Sequence, residues 1–213
     1  MNRPIVFGSP NSVYVRAVRL ALEEKGVAYD LVPVEVFGPG GPPADHLLRH
    51  PFGRIPAFQH GSFALYESSA IARYVDEAFD GPPLQPVSTL ARARMNQAIG
   101  VLDSYCYRTM VWDIFVERLR APMWGRTADE TRIAAALPRA ETCLRALAEI
   151  GQGGPWLAGT TLTLADLHAA PMFAYFRMTP EGGAMLDACP PVSAWWDRMA
   201  GRRSMAATRS AME

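Results

Sequence analysis

The chain has 213 residues, 49% hydrophobic and 20% charged, enough to bury one large core or two small ones. Its 21 Lys and Arg equal its 21 Asp and Glu, so no net field draws it to nucleic acid or anionic lipid. No run approaches ~18 uninterrupted apolar residues, which predicts no membrane span. Cys106, Cys143 and Cys189 are odd in number and far apart, as expected of buried thiols in a reducing cytoplasm; they support neither a zinc site nor a redox pair.

The chain enters Ile5-Val6-Phe7 directly, without the charged-then-apolar layout of a signal peptide. That short run, bounded by Pro4 and Gly8, predicts a strand. Val15, Val18 and Leu22 recur at helical spacing, and Gly26 predicts the helix stop. Leu31, Val32 and Val34 then predict a second strand, which completes a βαβ unit. Phe37 to Pro43 is too rich in Gly and Pro to be regular. Ile55 to Phe58 and Phe63 to Tyr66 predict a hairpin across Gln59-His60-Gly61-Ser62. Ile71, Val75 and Ala78 form the stripe of a closing helix. The order β-α-β then β-β-α predicts an α/β thioredoxin-like domain over residues 1–80.

Residues 81–88, with Gly81-Pro82-Pro83 and Pro86, read as a linker. Beyond it strand signals vanish. Leu90 to Leu119, Glu130 to Ile150, Leu164 to Phe176 and Val192 to Met199 carry helical spacing, so residues 89–213 are expected to form an all-α bundle.

Three local motifs carry chemistry, and each has an alternative. Ser12 closes the turn Phe7 to Ser12, where a hydroxyl meets the donors and positive dipole end of a helix; it is either an N-cap or an anion-stabilising group. In Gly53-Arg54-Ile55-Pro56 a cis bond would free the Ile55 backbone to pair with a peptide, although most X-Pro bonds are trans. Glu67-Ser68-Ser69 precedes the closing helix. It either caps that helix or presents a carboxylate to an ammonium and a hydroxyl with N–H to a carboxylate, as an α-amino-acid head group requires.

In combination and in this order, the motifs resemble the glutathione transferase family. Val6 to Gly26, His50 to Phe58 and Glu67-Ser68-Ser69-Ala70-Ile71 are most similar to its phi-like serine class, in a bacterial-type form. Thr163-Leu164-Ala165-Asp166 extends the likeness as a capping box that starts a buried helix. The resemblance implies that Ser12 stabilises the glutathione thiolate and that Arg54, Ile55, Pro56, Glu67 and Ser68 bind glutathione. It implies no metal. The co-substrate is a small hydrophobic electrophile held between the domains against Phe37, Tyr107, Met110 and Ile114. The last three, at i, i+3 and i+7, equally suit ordinary helix packing.

Phi-type sequences carry His and Lys in the loop after strand two, where this chain has Gly40-Gly41-Pro42-Pro43. Arg54 replaces the usual Gln or Lys and, as a fixed fork of donors, is the candidate to recover that carboxylate contact. Phe52 is the expected apolar key of a cytoplasmic homodimer. The alternatives are a glutathione-dependent peroxidase or isomerase, or a non-catalytic binding module, on the same scaffold.

Overall fold

The computed structural model describes residues 2–213, which divide into two compact units. One comprises the chain up to Gln85 together with Arg203–Met212; the other is Pro86–Arg202.

The first unit is built on a four-stranded sheet of β1 (Ile5–Phe7), β2 (Asp30–Val32), β3 (Ala57–His60) and β4 (Phe63–Tyr66), in the order β2-β1-β3-β4. β1 pairs parallel with β2 and antiparallel with β3, with Val6 opposite both Leu31 and Phe58. β3 begins at Ala57, two residues later than the apolar run Ile55 to Phe58 suggests, because Pro56 has no N–H to give the ladder. The hairpin turn is tighter than expected. His60 pairs with Phe63, leaving only Gly61 and Ser62 as the turn, with Gly61 at φ 62°.

α1 (Val13–Lys25) stops at Gly26, which adopts the left-handed conformation at φ 69° and donates to the Glu23 carbonyl. A four-residue helix, α2 (Ala44–Leu47), lies in the stretch after the Gly/Pro-rich loop and had no sequence signal. α3 (Ser68–Ala78) closes the unit, with Ile71 and Val75 fully buried beside Val15, Val18, Leu22 and Phe58 in its core. Lys25, at the end of α1, donates to Asp76 Oδ1 at 3.1 Å, to the Asp76 carbonyl at 3.0 Å and to the Pro82 carbonyl at 3.2 Å. Asp76 Oδ1 also accepts from Leu84 N at 2.8 Å. The first half of the linker is thereby fastened to the sheet unit.

The second unit is helical. α4 (Thr89–Val101) runs into a π-helical segment, Leu102–Arg120, followed by a short α5 (Ala121–Met123). The sequence pattern suggested one helix over Leu90 to Leu119, since apolar spacing does not distinguish i→i+4 from i→i+5 bonding. The π segment is tied to α6 (Glu130–Gly151) through buried Asp113, which accepts from Arg132 Nε at 2.8 Å and from Arg139 at 2.9 Å. α7 (Leu164–Arg177) is buried on nearly every face, which makes it the central helix of this unit. Phe173 on α7 meets Trp195 on α9 (Pro190–Ala200) edge-to-face at 4.9 Å, and α8 (Pro180–Asp187) lies between them in sequence.

The helical unit ends at Arg202. Beyond it α10 (Arg203–Ala207) and its tail pack on α1 of the first unit. Arg16, 2% exposed, donates to Thr208 Oγ1 at 3.3 Å and to the Met205 carbonyl at 3.2 Å, and Ser210 Oγ donates to Asn11 Oδ1 at 2.8 Å. No helix among the described residues is long and apolar enough to cross a membrane.

Candidate active site

Ser12 stands at the N-cap of α1 with extended backbone, φ −76° and ψ 130°. Its Oγ accepts a long bond, 3.4 Å, from Val15 N. The turn before it is closed by Ser12 N donating to the Ser9 carbonyl at 3.0 Å. The two readings of Ser12 are therefore compatible. Capping uses a lone pair of the hydroxyl, while its O–H remains a separate donor. The first turn of α1 contains no acidic side chain to offset the positive end of the helix.

Gly8 explains how this turn comes close to the third-strand loop. At φ 154° it adopts a conformation side chains rarely take, and an added Cβ would lie 2.4 Å from Val15 Cγ2 and 3.1 Å from Ile55 Cβ. Only Gly lets β1, α1 and the Ile55 loop meet there. The Ile55–Pro56 peptide bond is cis. Among the described residues no hydrogen bond uses the Ile55 N–H or carbonyl. Both residues are buried, while Arg54 beside them is exposed.

Glu67 and Ser68 lie where β4 gives way to α3. Glu67 has φ 73° and ψ 110°, a conformation that costs a non-glycine residue about 1–3 kcal/mol and concentrates at functional sites. It occupies the N-cap position of α3, yet its side chain makes no capping bond and stays exposed. Ser68, the first residue of the helix, is buried. The carboxylate is thus not consumed by the helix end.

Two histidines stand close to this group. His50 is buried, with its ring 4.8 Å from that of Tyr66. Burial pushes its pKa below the ordinary histidine value, the Glu67 carboxylate opposes this, and His46 and Arg54 add to the lowering. His46 reaches the Arg54 carbonyl with Nε2 at 2.7 Å.

The remaining candidates separate by burial. Phe37 is 75% exposed, Tyr107 is half-buried, and Met110 and Ile114 are fully enclosed within the π-helical segment. Met110 and Ile114 therefore pack a core in this structure. Phe52 is 71% exposed, with only edge contacts at 6.2 Å to the rings of His50 and Tyr66. Sequence reasoning passed over Gly8, His46 and the tail that reaches Asn11. Only Gly8, placed between a strand and a Pro-containing turn, left a local signal.

The glutathione S-transferase N-terminal domain profile matches residues 6–83, and the C-terminal domain profile matches residues 105–203. Glutathione S-transferase F6 of Arabidopsis thaliana is 31% identical over 191 residues, covering 89% of this chain and 91% of that protein. The crystal structure of glutathione transferase F7 from Populus trichocarpa superposes with a TM-score of 0.86 at 27% identity, covering 99% of both chains. Maize glutathione S-transferase I, solved in complex with an atrazine glutathione conjugate, superposes at 0.84 with 29% identity, covering 97% of this chain and 96% of that one. The chain belongs to the glutathione S-transferase family.

Proposed function

We propose that this protein is a glutathione transferase of the phi-like serine class, in which the Ser12 hydroxyl donates a hydrogen bond to the glutathione sulfur and holds it as thiolate, the thiol proton passing to solvent. The observation that carries this reading is the geometry of Ser12: its hydroxyl accepts from the helix it caps and keeps a donor for an incoming anion. The magnitudes suffice. Lowering a thiol pKa of ~8.5 by two units requires ~2.7 kcal/mol of preferential stabilisation. One hydrogen bond to a charged group contributes ~1.5–3 kcal/mol and a helix N-terminus ~0.3–1 kcal/mol. The thiolate then attacks a small hydrophobic electrophile, forming a carbon–sulfur bond as the leaving group departs or a neighbouring atom takes the electron pair.

The Ile55 backbone pairs with the peptide of glutathione, Glu67 takes its ammonium, Ser68 its γ-glutamyl carboxylate and Arg54 its glycine carboxylate. Phe37, which is exposed, and Tyr107, which is half-buried, are proposed to contact the electrophile. Three free cysteines support a cytoplasmic location. The named relatives are plant proteins, so the bacterial-type detail rests on the sequence motifs alone. Retention on immobilised glutathione followed by assays with an aryl halide and an organic peroxide tests the reading. Binding with neither activity would leave an isomerase or a non-catalytic module; peroxide turnover alone would make it a peroxidase.

Glu67→Ala and Ser68→Ala should each raise the glutathione Kd at least tenfold, because the bound ammonium or carboxylate left without its partner costs about 2 kcal/mol or more. Calorimetry checks this. Unchanged affinity in both folded variants would remove these residues from the site.

Phe52 and Leu48, 71% and 89% exposed on one stretch of the first unit, support a two-fold homodimer with Phe52 inserted into the partner. Sedimentation at micromolar concentration should show a dimer that Phe52→Asp converts to monomer. A wild-type monomer would end this part of the account.

A further inference from the structure

His46 is 1% exposed, on a helix of four residues, and its Nε2 lies 2.7 Å from the carbonyl oxygen of Arg54. A carbonyl only accepts, so Nε2 carries a ring hydrogen and donates it. Nδ1 is buried and has no hydrogen-bond partner among the described residues. The enclosed ring therefore commits its polarity to a single peptide group.

That peptide joins Arg54 to Ile55. Its C=O and the N–H of Ile55 share one rigid plane and point in opposite directions, so holding the oxygen fixes where the N–H aims. Accepting a hydrogen bond also polarises the peptide and strengthens its N–H as a donor. Pro56, the next residue, has no N–H, which makes Ile55 the last backbone donor before β3. His50 supplies a contrast. It is equally enclosed and its Nδ1 is also unpartnered, but it packs against Tyr66 and makes no hydrogen bond to the Arg54–Ile55 segment.

We infer that His46 is a positioning residue, which fixes the Arg54–Ile55 peptide so that the Ile55 N–H is aimed at the backbone of bound glutathione. This rests on the reading of Ile55 given under the proposed function. The residue touches neither thiol nor electrophile, so it acts on glutathione affinity and leaves the chemical step alone.

The test compares wild type with His46→Phe, which fills the space without a donor, and His46→Gln, which restores one. Glutathione affinity, turnover at saturating glutathione, and the Ile55 amide proton resonance of the ligand-free protein are measured. His46→Phe should raise Kd about tenfold, the equivalent of one net hydrogen bond, with turnover changed less than twofold. The Ile55 resonance should move in His46→Phe, and both effects should largely revert in His46→Gln. An unmoved resonance with unmoved affinity overturns the role of His46. A moved resonance with unmoved affinity shows instead that the Ile55 N–H does not bind glutathione, which overturns the underlying reading. Equal losses of affinity and turnover in His46→Phe, without recovery in His46→Gln, would show that the substitution disturbs the whole site rather than one donor, and would overturn the inference. Should His46→Phe fail to fold, scalar coupling across the hydrogen bond between His46 Nε2 and the Arg54 carbonyl carbon decides in wild type, and its absence overturns the inference.

Discussion

Replacing Ser12 by Ala should lower turnover near neutral pH by up to ~100-fold while leaving glutathione bound. The size follows from the thiol. If Ser12 and the helix end together depress its pKa by about two units, losing the hydroxyl returns the thiol towards ~8.5 and removes most of the thiolate. Affinity should change little, because the contacts assigned to Arg54, Ile55, Glu67 and Ser68 remain. Stability should fall by no more than ~1 kcal/mol, since the capping bond from Val15 N is long, 3.4 Å. Capping alone gives a different forecast: the same modest loss of stability with turnover intact. Initial rates at saturating glutathione, together with a thermal melt, separate the two.

The second large effect is on stability. Asp166, at the start of α7, is fully buried and accepts four bonds: from Leu157 N at 2.8 Å, Thr163 N at 2.7 Å, Thr163 Oγ1 at 2.9 Å and Trp195 Nε1 at 2.9 Å. Burial pushes its carboxyl pKa up, and these four donors pull against that shift. Asp166→Ala would strand two backbone N–H groups, a hydroxyl and an indole N–H in the core of the helical unit. Each unsatisfied buried group costs ~1–3 kcal/mol and the costs do not simply add, so a loss of about 4 kcal/mol is expected. For a chain of this length that lowers the melting temperature by on the order of 10 °C. Asp166→Asn, which keeps one acceptor oxygen, should lose less. A melting temperature within about 2 °C of wild type for Asp166→Ala would show that the core rearranges around the gap.

The sequence made most of the first unit legible because its signals are local. Ile5 to Phe7 and Phe63 to Tyr66 are strands over the residues expected, and Gly26 ends α1 as a left-handed residue must. The Thr163–Asp166 capping box could be read for the same reason: its partners lie three residues apart. The unread features depend on distant residues. α2 is held by turns rather than by apolar periodicity. The burial of Met110 and Ile114 depends on what packs around a π-helical segment, whose spacing resembles that of any amphipathic helix. The return of Arg203–Met212 to α1 is set by Arg16 and Asn11, nearly two hundred residues earlier in the chain. The Ile55-Pro56 motif lay between these cases. The dipeptide was visible, but the isomer depended on its surroundings.

The most direct test of the central claim is a titration of thiolate absorbance in the glutathione complexes of wild type and Ser12→Ala. The account predicts a midpoint about two units below ~8.5 in wild type and a return towards ~8.5 in the variant. Coincident midpoints would contradict it, leaving Ser12 as the cap of α1 and nothing more.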